Sequence, residues 1–221
     1  MRKILLKTLL FVLALVVALG AWIAIDLNRS RKVDIRAFDT NEVARLDTAM
    51  WRSYYSRERP KLFGQLGELL DRQFHFPFWQ RQLVAFYAAK AAFVFKDGKT
   101  REDYEKTLPD LEKFYSQIHD ISSTDFDVDR AAKLELEWWM VHRQRQQYAQ
   151  GDLARALADG AAVIYGVRAE SLQEYGDLRA EAMDIRDNQA EAGGVTEDDW
   201  QKIDELLHRS WASLHEAVSR K

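Results

Sequence analysis

The chain begins with an apolar segment long enough to cross a membrane. Residues 8–25 contain no charged side chain, and the basic residues Arg2, Lys3 and Lys7 precede them. A helix over this run is roughly 27 Å long, close to the ~30 Å hydrocarbon thickness of a bilayer. The run therefore predicts a single transmembrane helix, and we assign residues 1–28 to an uncleaved signal-anchor.

A cleaved signal peptide is the alternative interpretation of this segment. Ala18, Leu19 and Gly20 form a small-x-small sequence behind a basic region, as at a cleavage site. The chain nevertheless stays apolar through residues 21–25, and the whole run exceeds the ~7–15 residues of a typical signal-peptide core. The uncleaved anchor is therefore the leading interpretation, with Asp26 at its end, where the carboxylate can reach the headgroups.

The side of the membrane is not decided by the flanking charges. Basic side chains lie on both sides of the span, at Arg2, Lys3 and Lys7 before it and at Arg29, Arg31, Lys32 and Arg36 after it. The positive-inside rule therefore gives no orientation. Because an anchor before a compact domain has the layout of an uncleaved export signal, we expect the domain outside the cytoplasm. In a Gram-negative organism that compartment is the periplasm, and the absence of cysteine is compatible with it.

Charge divides the chain into a basic start and an acidic remainder. Residues 1–32 carry six basic side chains and one acidic side chain, a net charge of +5. Because the whole chain carries −3, the residues after them carry −8. Such a domain lacks the basic surface that neutralises phosphates, so we expect no nucleic-acid partner.

Residues 39–221 predict one all-α domain behind a short charged connector, residues 29–38. Apolar residues recur at helical spacing, and no segment alternates with the period of a strand. We expect a bundle of about seven to eight helices. Their predicted ranges include 77–95, 101–118 with a kink or break at Pro109, a helix from just after Asp129 to about Gln150, 152–165 and 171–190.

Local signals mark several helix starts and one close contact. Asp39 with Glu42, and Thr196 with Asp199, have the spacing of capping boxes, in which each side chain accepts from the other residue's backbone amide. Gly64 and Gly67 lie inside a predicted helix after Pro60. Such glycines weaken a helix, and they allow a neighbouring helix to pack closely.

The helix after Asp129 carries the candidate polar site. Its apolar side chains point in all directions, which predicts that other helices enclose it. Charged groups in such a helix are rarely buried without partners. Two interpretations are open: a ligand-binding or acid–base cluster, or a structural network of ion pairs. The residues concerned are Glu135, Glu137, His142 and Arg143.

The sequence contains little evidence for a metal site or for covalent catalysis. A di-iron bundle needs two Glu-x-x-His steps, and this chain has one, Glu205 with His208. It contains no cysteine, no Gly-x-Ser-x-Gly elbow and no glycine-rich phosphate loop. We therefore assign no catalytic residue, no metal ligand and no cofactor.

Two aromatic clusters are candidates for partner binding. Aromatic residues and arginine are enriched at the centres of protein interfaces, and the same residues also fill gaps between helices. The clusters are Trp51, Tyr54 and Tyr55, and Phe74, Phe76, Phe78 and Trp79. A weak small-residue face in the anchor, Ala14, Ala18 and Ala21, favours a homo-oligomer formed through that helix.

Two functional hypotheses follow. The leading one is a non-enzymatic, membrane-tethered helical module that binds or scaffolds a protein partner in the cell envelope. The alternative is a helical bundle that binds a small ligand or carries acid–base chemistry around Glu135, Glu137, His142 and Arg143. A cavity lined by those residues favours the alternative, whereas an exposed aromatic patch favours the interaction module.

Overall fold

The computed structural model describes residues 2–28 and 32–219, and in these residues the fold is all-α. Two short 3₁₀ turns, Arg145–Gln147 and Ala169–Leu172, interrupt the helices. The helices are α1 (Arg2–Leu27), α2 (Thr40–Tyr55), α3 (Arg59–Arg72), α4 (Phe78–Lys96), α5 (Arg101–Glu105), α6 (Leu108–Ile121), α7 (Val128–Arg143), α8 (Asp152–Tyr165), α9 (Gln173–Glu191) and α10 (Glu197–Ser219). The predicted fold class is confirmed.

Helix α1 has the length and composition of a membrane span. Its segment Lys3–Leu27 is apolar enough to cross a bilayer, and almost all of its described side chains are exposed. A signal sequence near an N-terminus has the same properties. The prediction of one N-terminal helix able to span a membrane is confirmed at this level, and the side on which the domain lies stays a prediction.

The remaining helices pack around a shared core. Helix α9 packs against α8 and α10, α2 against α3 and α10, and α7 against α6 and α8. Helices α4 and α6 run antiparallel, because the Gln80 side-chain amide donates to the Gln117 carbonyl oxygen at 3.1 Å while Lys90 pairs with Asp110 at 2.8 Å. The largest fully buried apolar side chains include Leu46, Leu111, Leu172, Ile203, Leu207 and Leu214.

Of two predicted helix boundaries, one is confirmed and the other is wrong. The expected break at Pro109 is confirmed, since α5 and α6 are separate and Pro109 lies in the first turn of α6. The prediction that the next helix reaches Gln150 is wrong, because α7 ends at Arg143. Gln144 leaves helical geometry at φ −109° and ψ 27°, and the chain then turns so that Arg145 reaches a carboxylate on α9.

The two capping boxes also differ. Thr196 and Asp199 exchange both expected hydrogen bonds at the start of α10. Asp39 accepts from the amides of Asn41 and Glu42, so one half of the box predicted at α2 is present. The predicted reciprocal bond, from the Asp39 backbone amide to the Glu42 side chain, is wrong, because the Glu42 carboxylate pairs with Arg45.

The connector is packed against the domain where the structure describes it. Val33 forms an isolated parallel bridge with Ser122, and its amide donates to the Ile121 carbonyl oxygen at 2.7 Å. Val33, Ile35 and Phe38 are buried in the main core cluster. Residues 32–38 therefore hold the domain close to the end of α1.

The end of α1 makes a second fixed contact with the domain. Asp26 is 8% exposed, and its Oδ2 accepts from the Trp79 backbone amide at 2.6 Å. This is the first turn of α4, where unpaired amides and the helix dipole favour a carboxylate. Trp22 stacks on Phe78 with ring centroids 5.6 Å apart. The expectation that Asp26 reaches toward headgroups is wrong, since it serves instead as a cap for α4.

Close helix packing occurs at a glycine outside the predicted pair. A Cβ on Gly64 or Gly67 would meet no atom within 4 Å, so the expected close neighbour is absent at both described positions. A Cβ on Gly176 would lie 2.2 Å from the carbonyl oxygen of Ala154. Helices α8 and α9 therefore approach so closely at Gly176 that only glycine fits there.

This difference gives a matched pair of alanine substitutions. We expect Gly176→Ala to lower the free energy of unfolding by about 1–3 kcal/mol, because the new methyl group meets backbone. Gly64→Ala should raise it by about 0.5–1 kcal/mol, because alanine loses less entropy in a helix. Denaturant unfolding of the full chain in mild detergent measures both. Equal effects of the two substitutions would contradict the observed packing.

Candidate functional site

A cavity of about 300 Å³, here called the inner chamber, lies in the middle of the bundle. Its wall is mostly aromatic and aliphatic, with a few polar groups among them. The lining includes Ile35, Leu70, Phe74, Phe76, Phe114, Ile118, Leu157, Ala161, Ile164 and Trp211, together with Tyr115, Glu135, Tyr165, Tyr175 and Arg179.

A larger cavity of about 720 Å³, the outer chamber, adjoins the first. The two chambers share the residues Glu135, Trp138, Arg179 and Met183, which form the wall between them. The outer chamber is richer in charge than the inner one. Its other lining residues include Asp47, Trp51, Tyr54, Tyr55, Phe95, Lys96, Trp139, His142, Arg143, Arg145, Arg186, Asp187 and Glu191.

An ion pair between α9 and α2 holds Arg179 in the shared wall. Arg179 Nη1 donates to Asp47 Oδ2 at 2.7 Å, and the two side chains are 12% and 8% exposed. Trp211 Nε1 donates to the same oxygen at 2.8 Å. Burial works to lower the pKa of Arg179, but the attraction of Asp47 outweighs it, so this pKa is raised and the guanidinium stays charged.

Aromatic rings surround the same guanidinium. Its central carbon lies 5.7 Å from the ring centroids of Trp51 and Tyr175 and 5.5 Å from that of Trp211. Cations at such distances are attracted to the ring faces. Arg179 is therefore held from several sides, and its position in the wall is fixed.

Glu135 places a carboxylate in the wall without an ion pair. Its oxygens accept from the Tyr115 hydroxyl at 2.8 Å and from Trp139 Nε1 at 3.0 Å. In the part of the chain that the structure describes, no basic side chain lies within salt-bridge distance of it. Removal from bulk water raises the pKa of Glu135, and these hydrogen bonds offset that only in part.

The shared wall contains one acidic and one basic side chain, Glu135 and Arg179. Arg179 pairs with Asp47, which lines the outer chamber alone, so Glu135 is left without an ion-pair partner. A buried carboxylate of this kind is costly, and such groups are concentrated at functional sites in proteins.

Two tyrosine hydroxyls in the inner chamber have no hydrogen-bond partner. Tyr165 and Tyr175 are 8% and 9% exposed, and both line the chamber. Within residues 2–28 and 32–219, neither hydroxyl donates or accepts a hydrogen bond. Burial raises the pKa of both phenols, so they remain neutral and able to donate. Neither hydroxyl oxygen is fully buried, so both hydroxyls are open to the chamber and free to bond a ligand or water.

The rim of the outer chamber is organised around Asp187. Its Oδ2 lies 2.9 Å from His142 Nε2 and accepts from Arg145 Nη1 at 2.6 Å, and its Oδ1 pairs with Arg186. Desolvation works to raise the pKa of Asp187, but the hydrogen bond from His142 and the nearby cations outweigh it and the pKa is lowered. Arg186 also lies over the Tyr55 ring, 3.3 Å from its centroid. The rim is thus a network of ion pairs.

The predicted polar residues separate into two groups. Glu135, His142 and Arg143 all line the outer chamber. Arg143 lies over the Phe95 ring at 5.1 Å. Glu137 points elsewhere, because its carboxylate pairs with Arg101 at 3.2 Å outside both chambers.

The predicted aromatic clusters also separate. Trp51, Tyr54 and Tyr55 line the outer chamber, whereas Phe74 and Phe76 line the inner one. A different pair, Phe78 and Trp79, contacts Trp22 of α1.

Sequence reasoning missed the residues that define the site most closely, Asp47, Arg179, Tyr165 and Tyr175. The available signal was the i, i+4 step from Tyr175 to Arg179, which places a phenol and a guanidinium on one helix face. No group of three His, Cys, Asp or Glu side chains in the described residues is arranged to hold a metal ion.

The raised pKa of Glu135 predicts a particular dependence of stability on pH. Above the ordinary glutamate pKa of about 4.3, the wild-type protein must ionise a group that its fold keeps protonated longer, so ionisation costs folding free energy. Glu135→Gln removes this term. We expect the stability of the wild type relative to this variant to fall as pH rises above about 4.3 and to level off beyond the raised pKa.

The measurement is denaturant unfolding of both proteins at stepped pH. Glu137→Gln, on the same helix outside the chambers, is the matched control. Wild-type and Glu135→Gln stabilities that run parallel across this pH range would contradict the assignment.

Compared with known protein families, with curated proteins and with solved structures, the chain gives no match.

Proposed function

We propose that the protein is a membrane-tethered binding protein for a small, largely apolar, uncharged molecule that carries a hydrogen-bonding oxygen. The observation that carries this proposal is the inner chamber with its two unpartnered hydroxyls, on Tyr165 and Tyr175. The proposal develops the ligand-binding alternative, with its centre moved from the chamber rim toward the inner chamber.

The size and lining of the chamber support a ligand. Small-molecule sites are typically cavities of about 300–1,000 Å³ with apolar walls and a few polar groups that fix orientation. The inner chamber has a volume of about 300 Å³ and lies beside a second chamber of about 720 Å³, with which it shares a wall. Its wall contains the aromatic rings of Phe74, Phe76 and Phe114.

The charges of the wall favour an uncharged ligand. The lining of the inner chamber includes the charged side chains of Glu135 and Arg179, so an anion would lie beside the Glu135 carboxylate whenever that group is ionised. A cation would lie beside the guanidinium of Arg179, which lines the same chamber. Both charges are unfavourable at low local dielectric. A neutral molecule avoids both costs.

The free hydroxyls specify the polar group of the ligand. Tyr165 and Tyr175 can each donate one hydrogen bond, and neither has an acceptor in the described residues. A carbonyl, ether or hydroxyl oxygen on the ligand would accept from them. A ligand oxygen would then replace water as the hydrogen-bond partner of these two groups.

The membrane tether fits this ligand class. Apolar molecules concentrate in bilayers, and the cap at Asp26 together with the packed connector keeps the domain next to the end of α1. The interaction-module hypothesis stays a prediction. Five of the seven aromatic residues that it uses line the chambers. An extracytoplasmic location, a protein partner and a homo-oligomer through the anchor also stay predictions.

The test compares ligand occupancy in the wild type and in three variants. Ala161→Leu fills the inner chamber, Tyr165→Phe removes one hydroxyl, and Tyr87→Phe is a matched control outside both chambers. Each full-length protein is purified from its native membrane in mild detergent, and an organic extract is analysed by mass spectrometry.

We expect one neutral molecule in the wild type and in Tyr87→Phe. It should be absent from Ala161→Leu, and its affinity should fall about 2- to 10-fold in Tyr165→Phe, since one hydrogen bond contributes about 0.5–1.5 kcal/mol. The ligand-free Tyr165→Phe protein should melt no lower than the wild type, because its hydroxyl makes no bond. Equal loading of all four proteins, or extracts without a bound molecule, would contradict the proposal.

A further inference from the structure

The outer face of α4 carries three exposed phenylalanine side chains. Phe78, Phe86 and Phe93 are 40%, 55% and 61% exposed. They are separated by eight and seven residues, so at about 100° per residue they fall within roughly 80° of one another on one helix face. We name these three residues the α4 aromatic face. Exposed apolar side chains grouped on one helix face are typical of an interaction site.

We infer that the α4 aromatic face lies on the bilayer surface beside the membrane anchor. The first reason is continuity with α1. Phe78 stacks on Trp22, a residue of the apolar run itself, with ring centroids 5.6 Å apart. The Asp26 cap fixes the next residue, Trp79, at 2.6 Å. One end of the face is therefore held at the boundary of the membrane, where tryptophan is enriched.

The second reason is that α4 and α1 diverge beyond the contacts of Trp22 and Asp26 with the start of α4. In the described part of α1, only Ile23 and Asp26, both near its end, have side chains that are half-buried or buried. Helix α4 therefore does not pack back along the anchor. A helix of its length extends about 28 Å, which is long enough to carry Phe86 and Phe93 across the bilayer surface beside the point where α1 emerges.

The third reason is the charge of α4. The helix contains Arg81, Lys90 and Lys96 and no acidic residue, although the chain after residue 32 carries −8. Lys96 Nζ lies over the Phe93 ring at 4.4 Å. Aromatic residues on one face with lysine or arginine beside them are typical of helices that lie in a membrane interface. Long basic side chains can reach headgroups while their stems cover apolar surface.

Acidic neighbours limit the electrostatic part of this attraction. Lys90 pairs with Asp110 at 2.8 Å, and Lys96 pairs with Asp97 at 2.9 Å. Arg81 pairs with Asp71. Contact of the rings with the acyl chains is therefore the main contribution, and anionic headgroups add to it.

The chain offers a direct test because it contains no cysteine. Single-cysteine variants Phe86→Cys and Phe93→Cys, each in the full chain, carry a nitroxide label. Lys202→Cys is the control, at an exposed position of α10, a helix that packs on α2 and α9. The proteins are reconstituted in vesicles that contain phosphatidylglycerol, and circular dichroism verifies their helix content. Power saturation then compares collisions of each label with oxygen and with a water-soluble nickel complex.

We expect the labels at positions 86 and 93 to collide with oxygen and to be shielded from nickel, and the label at position 202 to show the opposite. Nickel access at positions 86 and 93 equal to that at position 202 would overturn the inference. Spin–spin broadening that disappears when unlabelled protein is added would also overturn it, because a second copy would then cover the face. Neither outcome bears on ligand occupancy of the inner chamber, so the proposed function is tested separately.

Discussion

The ion pair between Arg179 and Asp47 is the interaction on which the centre of this domain depends. It joins α9 to α2, and the bond from Trp211 to the same carboxylate adds α10. Removing one partner would leave a buried charge uncompensated, at a cost of about 3–5 kcal/mol. Because both partners must stay in place, the centre of the bundle keeps a charged pair, in which Arg179 lines both chambers and Asp47 lines the outer one. The site is thus a consequence of how the helices are held together.

The polar groups around the shared wall differ in how well they are satisfied. Glu135 is held by Tyr115 and Trp139, and Asp187 by three basic side chains at the rim. The hydroxyls of Tyr165 and Tyr175 have no such partners in the described residues. A structural network tends to satisfy every member, since a half-satisfied one is worse than an apolar core. The carboxylates of Glu135 and Asp187 are satisfied as in a structural network, whereas the proposed binding site rests on the two hydroxyls that are not.

Local patterns were sufficient to predict the helices and insufficient to predict the site. Three local signals act over a single turn, and the structure has the features that they predict. They are the apolar spacing of the helices, the capping pair Thr196 and Asp199, and the helix break at Pro109. Asp47 and Arg179 are 132 residues apart, and each looks like an ordinary surface residue of its helix. Gly176 shows the same limit, because its role depends on a neighbouring backbone, whereas Gly64 and Gly67 have the same local appearance and no close neighbour. Glu135 was predictable because its own helix is apolar on every side.

The most direct test of the central claim is a high-resolution structure of the full chain purified from its native membrane. The account predicts ordered non-protein density in the inner chamber, with an oxygen atom within hydrogen-bond distance of the Tyr165 and Tyr175 hydroxyls. The Arg179–Asp47 pair should remain in place beside it. Water molecules alone bridging the two hydroxyls, with no larger density in either chamber, would contradict the claim that this site is built for a ligand.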